Sequence, residues 1–125
     1  MKNVFEYAVV RLVPRVEREE FINVGVILYS KRTRYSGFLW QLNDDKCSVL
    51  CRDLDVAMIR QHLHSFEQIC NGSSDGGKLA ELDQAERFRW LTARRSTLIQ
   101  CSPVHPGLTE NPADTLQDLF EKLVI

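Results

Sequence analysis

Two apolar runs near the N-terminus, Phe5 to Val13 and Phe21 to Leu28, bracket the charged stretch Arg15-Val-Glu-Arg-Glu-Glu20. The first run is rich in Val, Tyr and Phe and alternates imperfectly, which predicts a strand over roughly residues 4–13. Pro14 has no N–H to give a ladder, so it ends that strand. The second run is nearly all apolar and predicts a strand over about 21–30, central in its sheet and covered on both faces. Residues 15–20 fit one helical turn or an exposed loop. Lys31-Arg-Thr-Arg34 is polar, and Tyr35 to Leu42 reads as a third strand. The link between the second and third strands is too short for a parallel crossover, so an antiparallel three-stranded meander is expected.

From Asp55 the period changes to that of a helix. Val56, Ile59, Leu63, Phe66 and Cys70 form one stripe, Asp53 or Asp55 can cap its start, and Asn71-Gly72 ends it. Gly72-Ser-Ser-Asp-Gly-Gly77 reads as a loop within the same domain. Asp83 and Glu86 have capping-box spacing and open a helix through Phe88, Trp90 and Leu91 to about Ala93. Ser96 to Gln100 fits a short fourth strand, and the Pro- and Gly-punctuated Ser102 to Thr109 fits a loop. Asn111-Pro112 starts a last helix whose apolar face holds Leu116, Leu119, Phe120 and Leu123. There are no internal repeats. The pattern predicts one α+β domain over residues 1–125: an antiparallel sheet of three to four strands packed against about three helices.

Composition narrows the function classes. The chain has 125 residues, 44% of them apolar and 26% charged, which suits an ordinary globular domain with its own core. Its 16 basic and 17 acidic residues give a net charge of −1, so no global field draws it to nucleic acid or an anionic membrane. Glu6 and Arg11 interrupt the first apolar run before it could serve as a signal peptide, and no run has the ~18 apolar residues of a spanning helix. Cys47, Cys51, Cys70 and Cys101 lack paired spacing and are expected to be reduced thiols in a cytoplasm.

Several constellations bear on chemistry. Cys47, Cys51, His62 and His64 have zinc-ligand character, but His62 and His64 stand two apart on a helix and point to nearly opposite sides. No metal site and no cofactor are therefore expected. His105 lies near Cys101 and Ser102, without a nucleophile-elbow sequence. Glu17, Glu19 and Glu20 fit a solvated charged loop better than an acid–base pair. Arg11, between Val10 and Leu12, needs an anionic partner, and Glu19 or Glu20 is the nearest supplier. A structural Arg–Glu pair closing the hairpin is the expectation.

Arg87, Arg89, Arg94 and Arg95 surround Trp90, while Lys31, Arg32 and Arg34 lie in the hairpin turn. That set suits an anion or single strand, although a solvated face with a buried tryptophan accounts for it more simply. Arg94-Arg95-Ser96 could grip an anion, and the two arginines also suit a helix C-terminus.

Tyr7-Ala-Val-Val-Arg-Leu-Val-Pro14, Glu20-Phe-Ile-Asn-Val-Gly-Val-Ile-Leu28, Arg87-Phe-Arg-Trp-Leu-Thr92 and Ser102-Pro-Val-His-Pro-Gly-Leu-Thr109 come in an order that resembles a bacterial family known as domain of unknown function 3037. Members often have Gly where this chain has Glu19. The resemblance supplies no activity and no catalytic residue. Genes of that family often neighbour those of kinases resembling the HipA toxin, which implies a small partner of such a kinase. The leading expectation is a non-enzymatic cytoplasmic accessory protein, with Arg11, Glu20, Asn23, Arg94 and Arg95 as candidate binding residues. A nucleic-acid or phosphate binder, and a small hydrolase or nuclease using Glu20 and His105, are the alternatives.

Overall fold

The central strand, β1 (Asn3–Leu12), pairs on one side with β2 (Ile22–Ser30), which pairs in turn with β3 (Tyr35–Trp40). On its other side two short strands follow one another along the same edge: β4 (Ile99–Cys101) and β5 (His105–Thr109). All pairings are antiparallel, so the expected meander is the core of a five-stranded sheet. The computed structural model describes residues 1–43, 45, 47, 54–95 and 97–125.

Helices cover both faces of the sheet. α1 (Val56–Asn71) and α2 (Gln84–Thr92) bury Ile59, Leu63, Phe66, Phe88 and Leu91 against Val10, Leu12, Ile27 and Tyr29. α3 (Pro112–Leu123) sets Leu116 and Phe120 against Phe5, Val26 and Leu28 on the other face. β2 is therefore interior and covered twice, which is why it lacks the polar alternation of a half-exposed strand. The fold is α+β.

The caps follow their sequence signals. Asp55, Asp83 and Asn111 each accept a hydrogen bond from the backbone N–H three residues on, at Met58, Glu86 and Asp114. Asp53, the other candidate cap for α1, lies outside the described residues. Gly72 ends α1 at φ 67°, and its N–H closes onto the carbonyls of Gln68 and Ile69.

Three segments differ from the sequence pattern. Residues 102–109, expected to be a loop, contain β5. In its register Pro106 faces Glu6 between the bonded pairs Phe5–Gly107 and Tyr7–His105, so its missing N–H would have pointed away from β1. Gly107 is needed beneath the Phe5 ring, where a Cβ would come within 2.6 Å. The stretch Ser74–Glu81 is 3-10 helical and broken at Gly77 (φ 71°), so the Gly-rich segment is more ordered than its composition implied. The strand expected from Ser96 is observed at Ile99–Cys101, and Ser96 itself lies outside the described residues.

The β1–β2 connection is a 3-10 turn, Val16–Arg18, followed by Glu19 at φ 56°. That left-handed conformation favours glycine. Glu19→Gly is expected to stabilise the fold by about 0.5 kcal/mol, the relief of strain outweighing glycine's larger unfolded-state entropy. A urea-unfolding midpoint no higher than that of the wild type would contradict this.

Candidate functional site

Arg11 and Asn23 face each other across β1 and β2, because the register shifts between Val10 and Arg11. Val10 pairs with Gly25 and Arg11 with Asn23, leaving Val24 as the extra residue of a bulge. Val24 enters the α1–α2 core, while Asn23 turns to the other face and donates from Nδ2 to the carbonyl of Leu123, 3.0 Å away. Asn23 thus ties β2 to the C-terminal end of α3. It also lines a hollow of about 180 Å³ with Ile22, Gln41 and Leu42.

The expected Arg11–Glu pair is not what the structure contains. The Arg11 guanidinium lies 4.2 Å from the centroid of the Phe21 ring, and its Nε is buried with no hydrogen-bond partner among the described residues. Glu20 is engaged by Arg18, with Nε to Oε1 at 2.5 Å, and Glu19 is exposed. The physical reason is local. The 3-10 turn brings Arg18 within reach of Glu20, while the aromatic residue that opens the second apolar run offers Arg11 a face instead. The Arg18–Glu20 pair is itself solvent-exposed and contributes little to stability.

The arginines around α2 are mostly committed to internal contacts. Arg89 makes a bidentate pair with Glu6 of β1, at 2.9 and 2.8 Å. Arg87 donates to the carbonyl of Leu82 at 2.6 Å and packs over Gly72. Arg95 stacks on Trp90, 3.9 Å from the ring centroid, and donates to the Trp90 carbonyl, closing the helix end. Arg94 is exposed, and Ser96 lies outside the described residues. Trp90 is 40% exposed rather than buried: Phe88 and Leu91 fill the core side of α2. Of the residues that the nucleic-acid reading needs on one face with the hairpin basics, Arg87 and Arg89 are thus engaged by Leu82 and Glu6, and Arg94 is exposed.

Nor do the hydrolase residues meet. His105 pairs with Tyr7, its ring 5.4 Å from that of the tyrosine. From there β1 runs five residues, about 17 Å, before the connection that carries Glu20 begins. Ser102 is buried, accepting from the Val9 N–H and donating to the Pro103 carbonyl, so its hydroxyl is not aimed at His105. Of the considered metal ligands, Cys51 lies outside the described residues. His64 contacts Trp40, and His62 faces a groove on the far side of α1 from it.

That groove, of about 330 Å³, is the feature that sequence reasoning missed. Its wall on α1 is the stripe His62, Ser65, Phe66 and Ile69; Trp90, Leu91 and Arg95 form its end; residues 97–101 form the opposite side. The sequence signal was the pair His62 and Ser65, polar positions flanking the apolar stripe, with Trp90 two turns from the α2 cap. The candidate residues thus fall into separate places: Arg11 and Asn23 near the end of α3, Glu20 in the exposed turn, and Arg95 at the groove.

Residues 7–124 match the family described as Protein of unknown function (DUF3037). The chain belongs to that family. No curated protein and no solved structure matches it. In this DUF3037 protein the signature segments resolve into physical roles. Asn23 holds the end of α3, and Gly25 gives passage to the Phe38 ring, which a Cβ would meet at 2.5 Å. Ser102 closes the gap between β4 and β5 by bonding Val9.

Two of the thiols, Cys70 and Cys101, are poor nucleophiles. Burial pushes both Cys70 and Cys101 up to about 12, against the smaller opposing pull of Arg87 on Cys70 and of Arg95 and Arg11 on Cys101. Because the folded pKa values are raised, the folded chain holds these protons where an unfolded thiol would release them. Their contribution to stability is complete below about pH 9 and is lost as pH rises toward 12. The urea midpoint is therefore expected to fall above pH 9. A variant with both cysteines changed to Ala should show a flatter alkaline limb, and an equally steep one would contradict the assignment.

Proposed function

We propose that this DUF3037 protein is a cytoplasmic accessory domain that docks on another protein, with a HipA-like kinase as its partner. The observation that carries this reading is the groove between α1, α2 and β4. It has an apolar floor of Phe66, Ile69 and Leu91 and a half-exposed Trp90 stacked on Arg95 at its end. Tryptophan and arginine beside a desolvated pocket are the residue types that most often anchor protein interfaces. Cys101 at the groove is protonated at neutral pH and its thiol donates to the Leu91 carbonyl, so the lining supports binding rather than nucleophilic attack. The free thiols Cys47, Cys70 and Cys101 suit a reducing compartment. No described helix is long and apolar enough to cross a membrane. The kinase follows from the gene neighbourhood of the family.

Tagged wild-type protein purified from its native host should carry the kinase with it, identified by mass spectrometry. Trp90→Ala should lose it while keeping the wild-type unfolding midpoint within about 1 kcal/mol, since the ring is part-exposed. Wild-type preparations free of the kinase, or kinase retained at full yield by Trp90→Ala, would refute the reading.

A further inference from the structure

The groove and the edge of the sheet are one feature, and together they specify the form of the segment that enters. Five consecutive residues, 97–101, line the groove. β4 ends the strand order and pairs with β1 alone among the described residues, so the groove lies beside its outer edge. The register fixes what that edge presents. Ser102 N–H bonds the Val9 carbonyl, and Val13 N–H bonds the Leu98 carbonyl. Bonded pairs alternate in an antiparallel ladder, so Gln100 faces β1 while Ile99 and Cys101 turn their N–H and C=O outward. The Ile99 carbonyl is taken by the Thr97 hydroxyl at 2.7 Å. The Ile99 N–H and both groups of Cys101 are left to the groove side.

The other half of the same edge is partly blunted. β5 has only Pro106 and Leu108 facing outward, and Pro106 has no N–H to offer. The β5 half thus offers the single outward N–H of Leu108, while the β4 half beside the apolar groove offers those of Ile99 and Cys101. The charge of the lining is one-sided as well. Among the described residues Arg95 is the one charged side chain in the lining and no carboxylate stands there, in a chain whose net charge is −1. One N–H of the Arg95 guanidinium bonds the Trp90 carbonyl, and its other donors can take a carboxylate.

We propose that the occupant is an extended, acidic segment of another polypeptide, added as a strand to the outer edge of β4. It places an apolar side chain between the α1 stripe and Leu91, and an Asp or Glu on Arg95. This deepens the docking reading and rests on it. Main-chain bonding supplies affinity and the pocket and the arginine supply selectivity, as in other cases of strand addition.

The test is a phage-displayed library of random octapeptides panned on the intact protein. Enriched sequences should pair an apolar residue with a nearby Asp or Glu. A synthetic winner, followed by fluorescence polarisation, should bind about tenfold more weakly to Ile99→Pro, which removes one outward N–H, and to Arg95→Gln. If Ile99→Pro does not fold, N-methylation along the peptide keeps the question open to measurement: binding should be lost at alternate positions. No enrichment, a helical spacing of the sensitive positions, or full binding to a folded Ile99→Pro would overturn the proposal. Co-purification of the kinase with no peptide enrichment would leave docking standing and remove only this inference; loss of both would remove both.

Discussion

Phe88→Ala is expected to destabilise the fold by about 3–5 kcal/mol, the range for removing a large aromatic side chain from a packed core. Phe88 is 2% exposed, belongs to the larger apolar cluster, and packs at a tilt against the Tyr29 ring of β2, with centroids 5.4 Å apart. It is the larger of the two buried apolar anchors, with Leu91, of a nine-residue helix that is also tied to β1 by the Arg89–Glu6 pair. That pair is solvent-exposed enough to contribute less than about 1 kcal/mol. Loss of Phe88 should therefore loosen α2 and with it the groove that Trp90 and Leu91 help to build. Urea unfolding measures the cost directly, and a loss below about 1 kcal/mol would mean that Phe88 does not anchor α2.

Gly25→Val is expected to cost about 3 kcal/mol, at the upper end of what overpacking usually brings. A Cβ at Gly25 would lie 2.5 Å from Phe38 Cε1 and 2.8 Å from the Leu39 carbonyl oxygen. The ring could move, but the oxygen belongs to the β2–β3 ladder and could not move without breaking it. Phe38→Leu should consequently rescue Gly25→Val only in part. A full rescue would show that the ring alone excludes a side chain, and a substitution with no effect would show that the close approach is absent.

Much of this architecture was legible in the sequence because it follows from periodicity. The doubly covered β2, the α1 stripe and the cap residues Asp55, Asp83 and Asn111 each follow from local pattern and local hydrogen bonding. β5 was hidden because Pro106 and Gly107 carry the composition of a loop. Only the register shows that Pro106 faces away from β1 and that Gly107 makes room for Phe5. The partner of Arg11 was hidden for a related reason. A bulge at Val24 and a left-handed Glu19 decide which side chains meet, and neither has a signal in hydrophobic pattern. The groove combines positions more than thirty residues apart, from His62 to Cys101, so nothing in any single window announces it. Trp90 was the visible part of it, and apolar pattern alone assigned that residue to the core.

Docking through the groove is measured by titration calorimetry with the purified HipA-like kinase. A saturable interaction with the wild-type protein is expected. Trp90→Ala should weaken it about tenfold or more, as expected for an aromatic anchor. Arg11→Ala, on the other face of the sheet, should leave the affinity unchanged. Equal affinities for wild type and a folded Trp90→Ala, or a loss confined to Arg11→Ala, would contradict it.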